Sequence, residues 1–351
     1  MQAPVNHIVG LTSIVRERLL PVSGTVVARL NQKVSPNDVI AEVNWPREHV
    51  LLDVARILQV SPSAAERLIK IKVDDRVPAN TEVAVGKGLF PRSVRTPREG
   101  RVVVVGGGQV LLEIGDPKME LRAGLPGTVV EIVPNRGAII QTAGALVQGV
   151  WGNGRIDSGL LVNIAEDPKG VLAANRLDVS LRGSILLAGM IKDAEVLKAA
   201  ADLPVRGLIL SSLYPSLIPL AREMRYPIMV TEGFGSLPMN SAAYKLLSTN
   251  AKRDVTVNAE IYDRYSGARP EAVILLPTFS DPPAPHEAED FATGLQVRMR
   301  RPPAMGMIGS IVSLPRGLTT LPSGLRAPAA EVKLENGETV IAPLINLEVV
   351  G

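Results

Sequence analysis

The chain has 351 residues, and single cores rarely grow beyond roughly 250–300 residues, so two or three domains are expected. An apolar content of 46% excludes a wholly disordered chain, and an aromatic content of 3% leaves little for stacking single-stranded nucleic acid. Its 38 basic and 35 acidic residues give a net charge of +3, too small by itself to imply a nucleic-acid partner, and the lack of cysteine excludes disulfides, thiolate metal sites and cysteine nucleophiles.

The three histidines, His7, His49 and His286, are far apart and have no metal-ligand spacing. Mean hydropathy is +0.19, yet no apolar run reaches the ~18 residues of a membrane span. The first twenty residues carry Arg16 and Arg18 within their apolar stretch, unlike a signal peptide, so a cytoplasmic protein is expected.

An internal repeat organises the N-terminal third. Pro21–Val27 (PVSGTVV) recurs as Pro97–Val103 (PREGRVV) and, shortened, as Pro126–Val130 (PGTVV). Each copy is a Pro/Gly turn feeding a β-branched run. A second phrase, Lys33–Ala41, is echoed by Val73–Ala84, with a polar turn between two short apolar runs. Together these phrases resemble the barrel-sandwich hybrid of biotinyl and lipoyl carrier domains, over roughly residues 18–115. The resemblance implies a fold of two β halves. Its carrier function is not expected, because the stretch Asn44–Glu48 (NWPRE) has no lysine to modify.

Between the halves, over about residues 50–70, Val50–Leu58 has helical apolar spacing. Ser61 before Pro62 reads as an N-cap with proline at the first helical position, and Ser63 with Glu66 has capping-box spacing. The pair resembles a helix-turn-helix, which would turn Arg67 and Lys70 toward a DNA groove. The second helix has no Asn or Gln to read bases, which favours a helical hairpin closing a β-module.

Arg92, Arg95, Arg98 and Arg101 follow, interleaved with Pro91 and Pro97. They read either as a phosphate-binding patch or as a solvated loop that blunts a strand edge. Gly106, Gly107 and Gly108 precede an alternating run rather than a helix, so they form a hairpin turn and not a phosphate loop. Residues 118–176 read as a β extension, in which Trp151, beside three glycines, reads either as the cap of a pocket or, more plainly, as the cover of a core edge.

Residues 177–276 change grammar. Short apolar runs near Ser184, Gly207, Ile228 and Val255 alternate with helical spacing after Asp193, Ser216 and Asn240, predicting βαβ units and a largely parallel sheet. Ligands bind such sheets beyond the carboxyl ends of the strands. The candidate ligand site is therefore Ser211, Ser212, Thr231, Glu232, Gly233 and Asn240, with Glu232 as the carboxylate for a hydroxyl or cation. The plainer reading makes these residues ordinary strand-to-helix turns. The module also resembles swivelling β/β/α domains, but it has no histidine to carry their phosphohistidine chemistry.

Residues 277–293 read as an exposed linker rich in proline and acid. Residues 294–351 run as a strand with Arg298, Arg300 and Arg301, a Gly306-x-x-Gly309 turn, two strands around Asn336-Gly337, and a final strand at Leu347. This order resembles the KOW-type SH3-like barrel of ribosomal and transcription-elongation proteins. It implies a small barrel, with those three arginines as the nucleic-acid contacts, joined by Arg92, Arg95 and Arg98.

The expected fold is therefore a multi-domain, β-rich α+β chain. Residues 1–117 make a barrel-sandwich-like β-module with a helical insert, followed by the β extension, a central swivelling-like α/β module, the linker and an SH3-like barrel. No catalytic residue, metal ligand or cofactor site is predicted, because no set of acid, base and nucleophile converges in the sequence. The leading expectation is a non-enzymatic structural or assembly protein that associates with itself or with other proteins. The alternatives are a nucleic-acid- or ribosome-associated KOW-type factor and a small-ligand sensor using the α/β module.

Overall fold

A computed structural model describes residues 2–44, 48–87, 91–114, 118–263, 267–278, 282–286 and 288–351. The centre of the NWPRE stretch, 45–47, lies outside the described residues, as do 279–281 and 287 of the proline-rich segment. The fold is β-rich, with several sheets and few helices. No helix among the described residues is long and apolar enough to cross a membrane. The chain divides into two compact units: Leu20–Val26 with Ala41–Leu121, and the remainder.

The smaller unit contains a four-stranded antiparallel sheet in the order Glu48–Asp53, Gln109–Ile114, Gly100–Gly106, Arg76–Val77. Two five-residue helices, Val54–Leu58 and Pro62–Glu66, pack Val54, Leu58 and Ala65 against Val102, Val110 and Leu112 of that sheet. The helical spacing read from Val50 onward begins only at Val54. Before it, Val50 and Leu52 join the core while Leu51 is exposed, which is the period-two burial of a half-buried strand. Asp53 then accepts the Arg56 N–H at 3.0 Å and starts the helix. Ser61 caps the second helix, with Pro62 at its first position. Glu66 does not close a capping box; it accepts the Gly107 N–H at 2.6 Å. The glycine triplet is thus a hairpin turn held by the second helix. A Cβ at Gly108, where φ is +74°, would lie 2.9 Å from Pro62 Cα.

The larger unit is built on an eleven-stranded sheet. Its parallel centre runs Ile228–Phe234, Gly207–Leu213, Ser184–Ile191, Ile156–Asn163. Helices Ala194–Asp202 and Ile218–Glu223 connect successive parallel strands and share a core with Leu186, Leu208 and Val230. Helix Ser241–Thr249 contributes Ala243 and Leu247 to a second core with Ile185, Leu187 and Ile209. These strands therefore have both faces covered, and Ser184–Ile191 is buried at all eight positions. The sheet continues antiparallel through Asp254–Asn258, Glu271–Leu275, Gly137–Gln148 and Gly127–Val133, and Ile8–Leu19 also pairs with Gly137–Gln148.

A second sheet of this unit has seven strands. Gln2–Asn6 lies between Ala288–Asp290 and Leu347–Val350, followed by Gln296–Met299, Ile308–Ser313, Ala329–Leu334 and Thr339–Pro343. The proline-rich segment touches strand Ile8–Leu19: the Thr12 hydroxyl and the Ser13 N–H donate to the Pro283 carbonyl at 2.7 and 3.2 Å.

The sequence repeat has a common physical cause in the fold. Gly24, Gly100 and Gly127 each sit where an added Cβ would approach a cross-strand carbonyl oxygen, at 2.4 Å from Glu42, 2.6 Å from Glu113 and 2.5 Å from Gln141. Only a residue without Cβ permits that approach. Gly127→Ala should therefore cost about 1–3 kcal/mol through overpacking, and Gly100→Ala should act in the same direction. Gly106, which has nothing within 4 Å of its Cβ position, is the control and should change stability by less than about 0.5 kcal/mol in urea unfolding.

Candidate functional site

The residues singled out at the ends of the parallel strands do converge, and the protein buries them. Ser211 and Ser212 are inaccessible, and Thr231, Gly233 and Asn240 are buried beside Glu232, which is 4% exposed. Their bonds are mostly internal. Thr231 Oγ1 donates to the Leu210 carbonyl at 3.2 Å, and Ser212 Oγ accepts the Leu237 N–H at 3.1 Å. Ser211 Oγ has no hydrogen-bond partner among the described residues.

Glu232 lies near the end of strand Ile228–Phe234 and faces the start of helix Ser241–Thr249. Its Oε1 accepts both the backbone N–H and the side-chain Nδ2 of Asn240, at 3.0 and 2.6 Å. Asn240 in turn caps the helix by accepting the Ala243 N–H at 2.8 Å. The carboxylate thus lies where the helix dipole favours negative charge.

The other Glu232 oxygen faces Arg298, 3.5 Å from Nη1. Arg298 is 5% exposed and also donates to the Thr231 carbonyl at 3.2 Å. It sits directly across the seven-stranded sheet from Glu348, with Nε 3.7 Å from Oε2. Glu348 then receives Arg269 Nη1 at 3.2 Å, and the Arg269 guanidinium lies 5.5 Å from the Tyr262 ring centroid. Two arginines and two carboxylates alternate along this chain of contacts, which balances formal charge when all are ionised.

Burial pushes the Glu232 carboxyl above its ordinary range, and the Arg298 charge and the Asn240 hydrogen bonds only partly oppose that shift. A carboxyl held this way is a weak cation ligand. Its partners leave it positioned as a strut between the parallel sheet and the seven-stranded sheet.

The arginines expected at a nucleic-acid surface separate. Arg298 is internal, whereas Arg300 and Arg301 are exposed. Arg92, Arg95 and Arg98 are exposed as well. Arg95 lies 3.6 Å from Glu82 and Arg98 lies 2.6 Å from Glu48, so part of that positive charge is locally matched. Trp151 packs on the core beside the parallel strands and meets Phe234 edge to face at 6.0 Å.

A second candidate surface lies on the smaller unit, where no sequence motif marked it. The outer face of its four-stranded sheet carries Leu51, Leu111 and Val104 in one cross-strand row. Leu51 is 56% exposed and Val104 51%. The adjoining row is His49, Glu113 and Arg101, with Arg101 Nη2 3.1 Å from Glu113. The sequence signal for this surface is the double leucine in Val50-Leu51-Leu52, which places an aliphatic side chain on both faces of one strand.

No family model matches the chain, and no curated protein matches it.

Two outcomes follow from the buried ion network. Arg298→Met should destabilise the protein by about 3–5 kcal/mol, because it leaves Glu232 buried without its cation and Glu348 with Arg269 alone; adding Glu232→Gln should recover part of that loss. Glu232 also makes stability depend on pH. Its native pKa is raised, so its contribution is fully present below the unfolded carboxyl range and fades as pH rises through the native value. Urea unfolding from about pH 5 to about pH 8 should therefore show Glu232→Gln gaining stability relative to the parent as pH increases. A relative loss with rising pH would contradict the assignment.

Proposed function

We propose that the protein is a non-enzymatic structural or assembly protein that associates with itself through the outer sheet face of its smaller unit. The observation that carries this reading is the row Leu51, Leu111, Val104. Contiguous aliphatic side chains on the solvent face of a regular sheet favour burial against a partner. The row beside it holds both a guanidinium and a carboxylate, so a second copy related by a two-fold axis meets compensating charges, whereas a partner of single sign does not. The carboxylate best placed for chemistry, Glu232, is buried, bonded through Oε1 to Asn240 and ion-paired through Oε2 with Arg298, which supports a non-catalytic role.

The module identities belong to the same reading. The repeat glycines and paired β phrases support a barrel-sandwich-like module, without the carrier lysine. The parallel strands and crossover helices support a swivelling-like α/β module. The antiparallel strands from Gln296 to Val350, with a hairpin at Asn336-Gly337, support an SH3-like barrel. The KOW-type nucleic-acid reading rests on Arg300 and Arg301, since Arg298 is enclosed.

Size exclusion with light scattering on nuclease-treated protein tests the proposal. The expected result is an assembly that grows with concentration and resists salt, and that Leu51→Lys or Val104→Lys dissociates while the protomer stays folded. A species of 37.4 kDa at every concentration would overturn it. Co-elution of nucleic acid before treatment, weakening steeply with salt, would move the weight to Arg300 and Arg301.

A further inference from the structure

The larger unit has a pocket of about 380 Å³ beside the ion network, with which it shares Asn240, and apart from the proposed assembly face. It opens where the loop Asp167–Lys169, the segment Pro238–Ser241 and the loop Met305–Ile308 meet Glu335. Its size falls in the range of small-molecule sites.

Three of the chain's nine methionines, Met239, Met305 and Met307, line this one space together with Ile308. Met239 is fixed in the core, while Met305 and Met307 are half-buried. Thioether side chains adapt their shape to an apolar guest, which suits a pocket that accepts a flexible chain. Gly306, between the two loop methionines, has φ of +84° and lies so close to Glu232 that an added Cβ would sit 3.8 Å from Oε2. The methionine loop is thereby set against the buried ion network.

The polar groups of the wall decide which guest fits. The Asn240 amide and its backbone N–H both donate to Glu232, and the Ser241 hydroxyl donates to Glu335 Oε1 at 2.5 Å. These donors are already committed. The carboxylates of Asp167 and Glu335 keep further acceptor capacity, since each carboxylate accepts several hydrogen bonds. Lys169 is the single lining cation that competes with a positively charged guest.

We propose that this pocket binds a small amphipathic ammonium compound, with its apolar chain on Met239, Met305 and Met307 and its charged head at Glu335 and Asp167. The proposal is independent of self-association.

The probes are n-hexylammonium, hexanol and hexanoate, titrated into the full chain and followed by methionine-methyl NMR shifts and calorimetry. All share one apolar chain, so their order reads the head group. Hexylammonium should bind most tightly, about threefold to fivefold better than hexanol, with hexanoate weakest, as expected of a partly exposed ion pair. Glu335→Gln should erase the advantage over hexanol, and Lys169→Ala should enlarge it. Met305→Gln should weaken hexylammonium and hexanol alike, while thermal unfolding confirms that each variant is folded. Hexanoate binding as tightly as hexylammonium, a loss of affinity in Lys169→Ala, or no binding by any probe would overturn the proposal.

Discussion

The larger unit turns on one buried cation. Arg298 leaves the seven-stranded sheet on the face opposite its own core, where it meets the Thr231 carbonyl and the Glu232 carboxylate, while Glu348 faces it from the neighbouring strand. Enclosing a guanidinium costs several kcal/mol unless its hydrogen bonds and charge are met, so the positions of all its partners are constrained together. Asn240 completes the chain by holding Glu232 and capping the next helix at once. The parallel sheet, the helix behind it and the C-terminal sheet are thereby tied through a single set of polar contacts.

The smaller unit depends on backbone proximity instead. Gly100 allows its strand to approach the Glu113 carbonyl, and Gly107 and Gly108 let the hairpin pass beneath the helix that begins at Pro62. With the inner face filled by Val102, Val110, Leu112 and Ile114, the outer face is left to define what the unit contacts. Its aliphatic row contributes nothing to that core, which is why an interface role fits it.

Much of the local architecture was legible in the sequence. The turn-and-strand repeat marked three positions of close backbone approach. Ser61 and Asn240 stood at helix starts for the reason that their side chains accept N–H groups in the first turn. Glu232 stood out as a carboxylate near a strand end beside glycines, although the plainer reading makes it an ordinary strand-to-helix turn residue; in the fold it is buried and paired with Asn240 and Arg298. What alternation alone does not show is the identity of the layer that covers each face. Arg298 alternates with apolar neighbours as a solvent-facing residue does, yet a second sheet covers that face. Glu348 and Arg269 carried no local signal, because their roles arise only when strands distant in sequence become neighbours. Leu51 was hidden for the opposite reason: within an apolar run it resembled a helical core residue, and only the strand register turns it outward.

In the proposed assembly, the outer face around Leu51, Leu111 and Val104 meets a second copy of the chain. Hydrogen–deuterium exchange at two widely separated protein concentrations tests it most directly, because an interface slows exchange on the strands it covers. Peptides spanning Glu48–Asp53, Gly100–Gly106 and Gln109–Ile114 should gain protection as concentration rises, while the parallel strands of the larger unit should not change. Protection of those three strands that is independent of concentration, or gains confined to the larger unit, would contradict it.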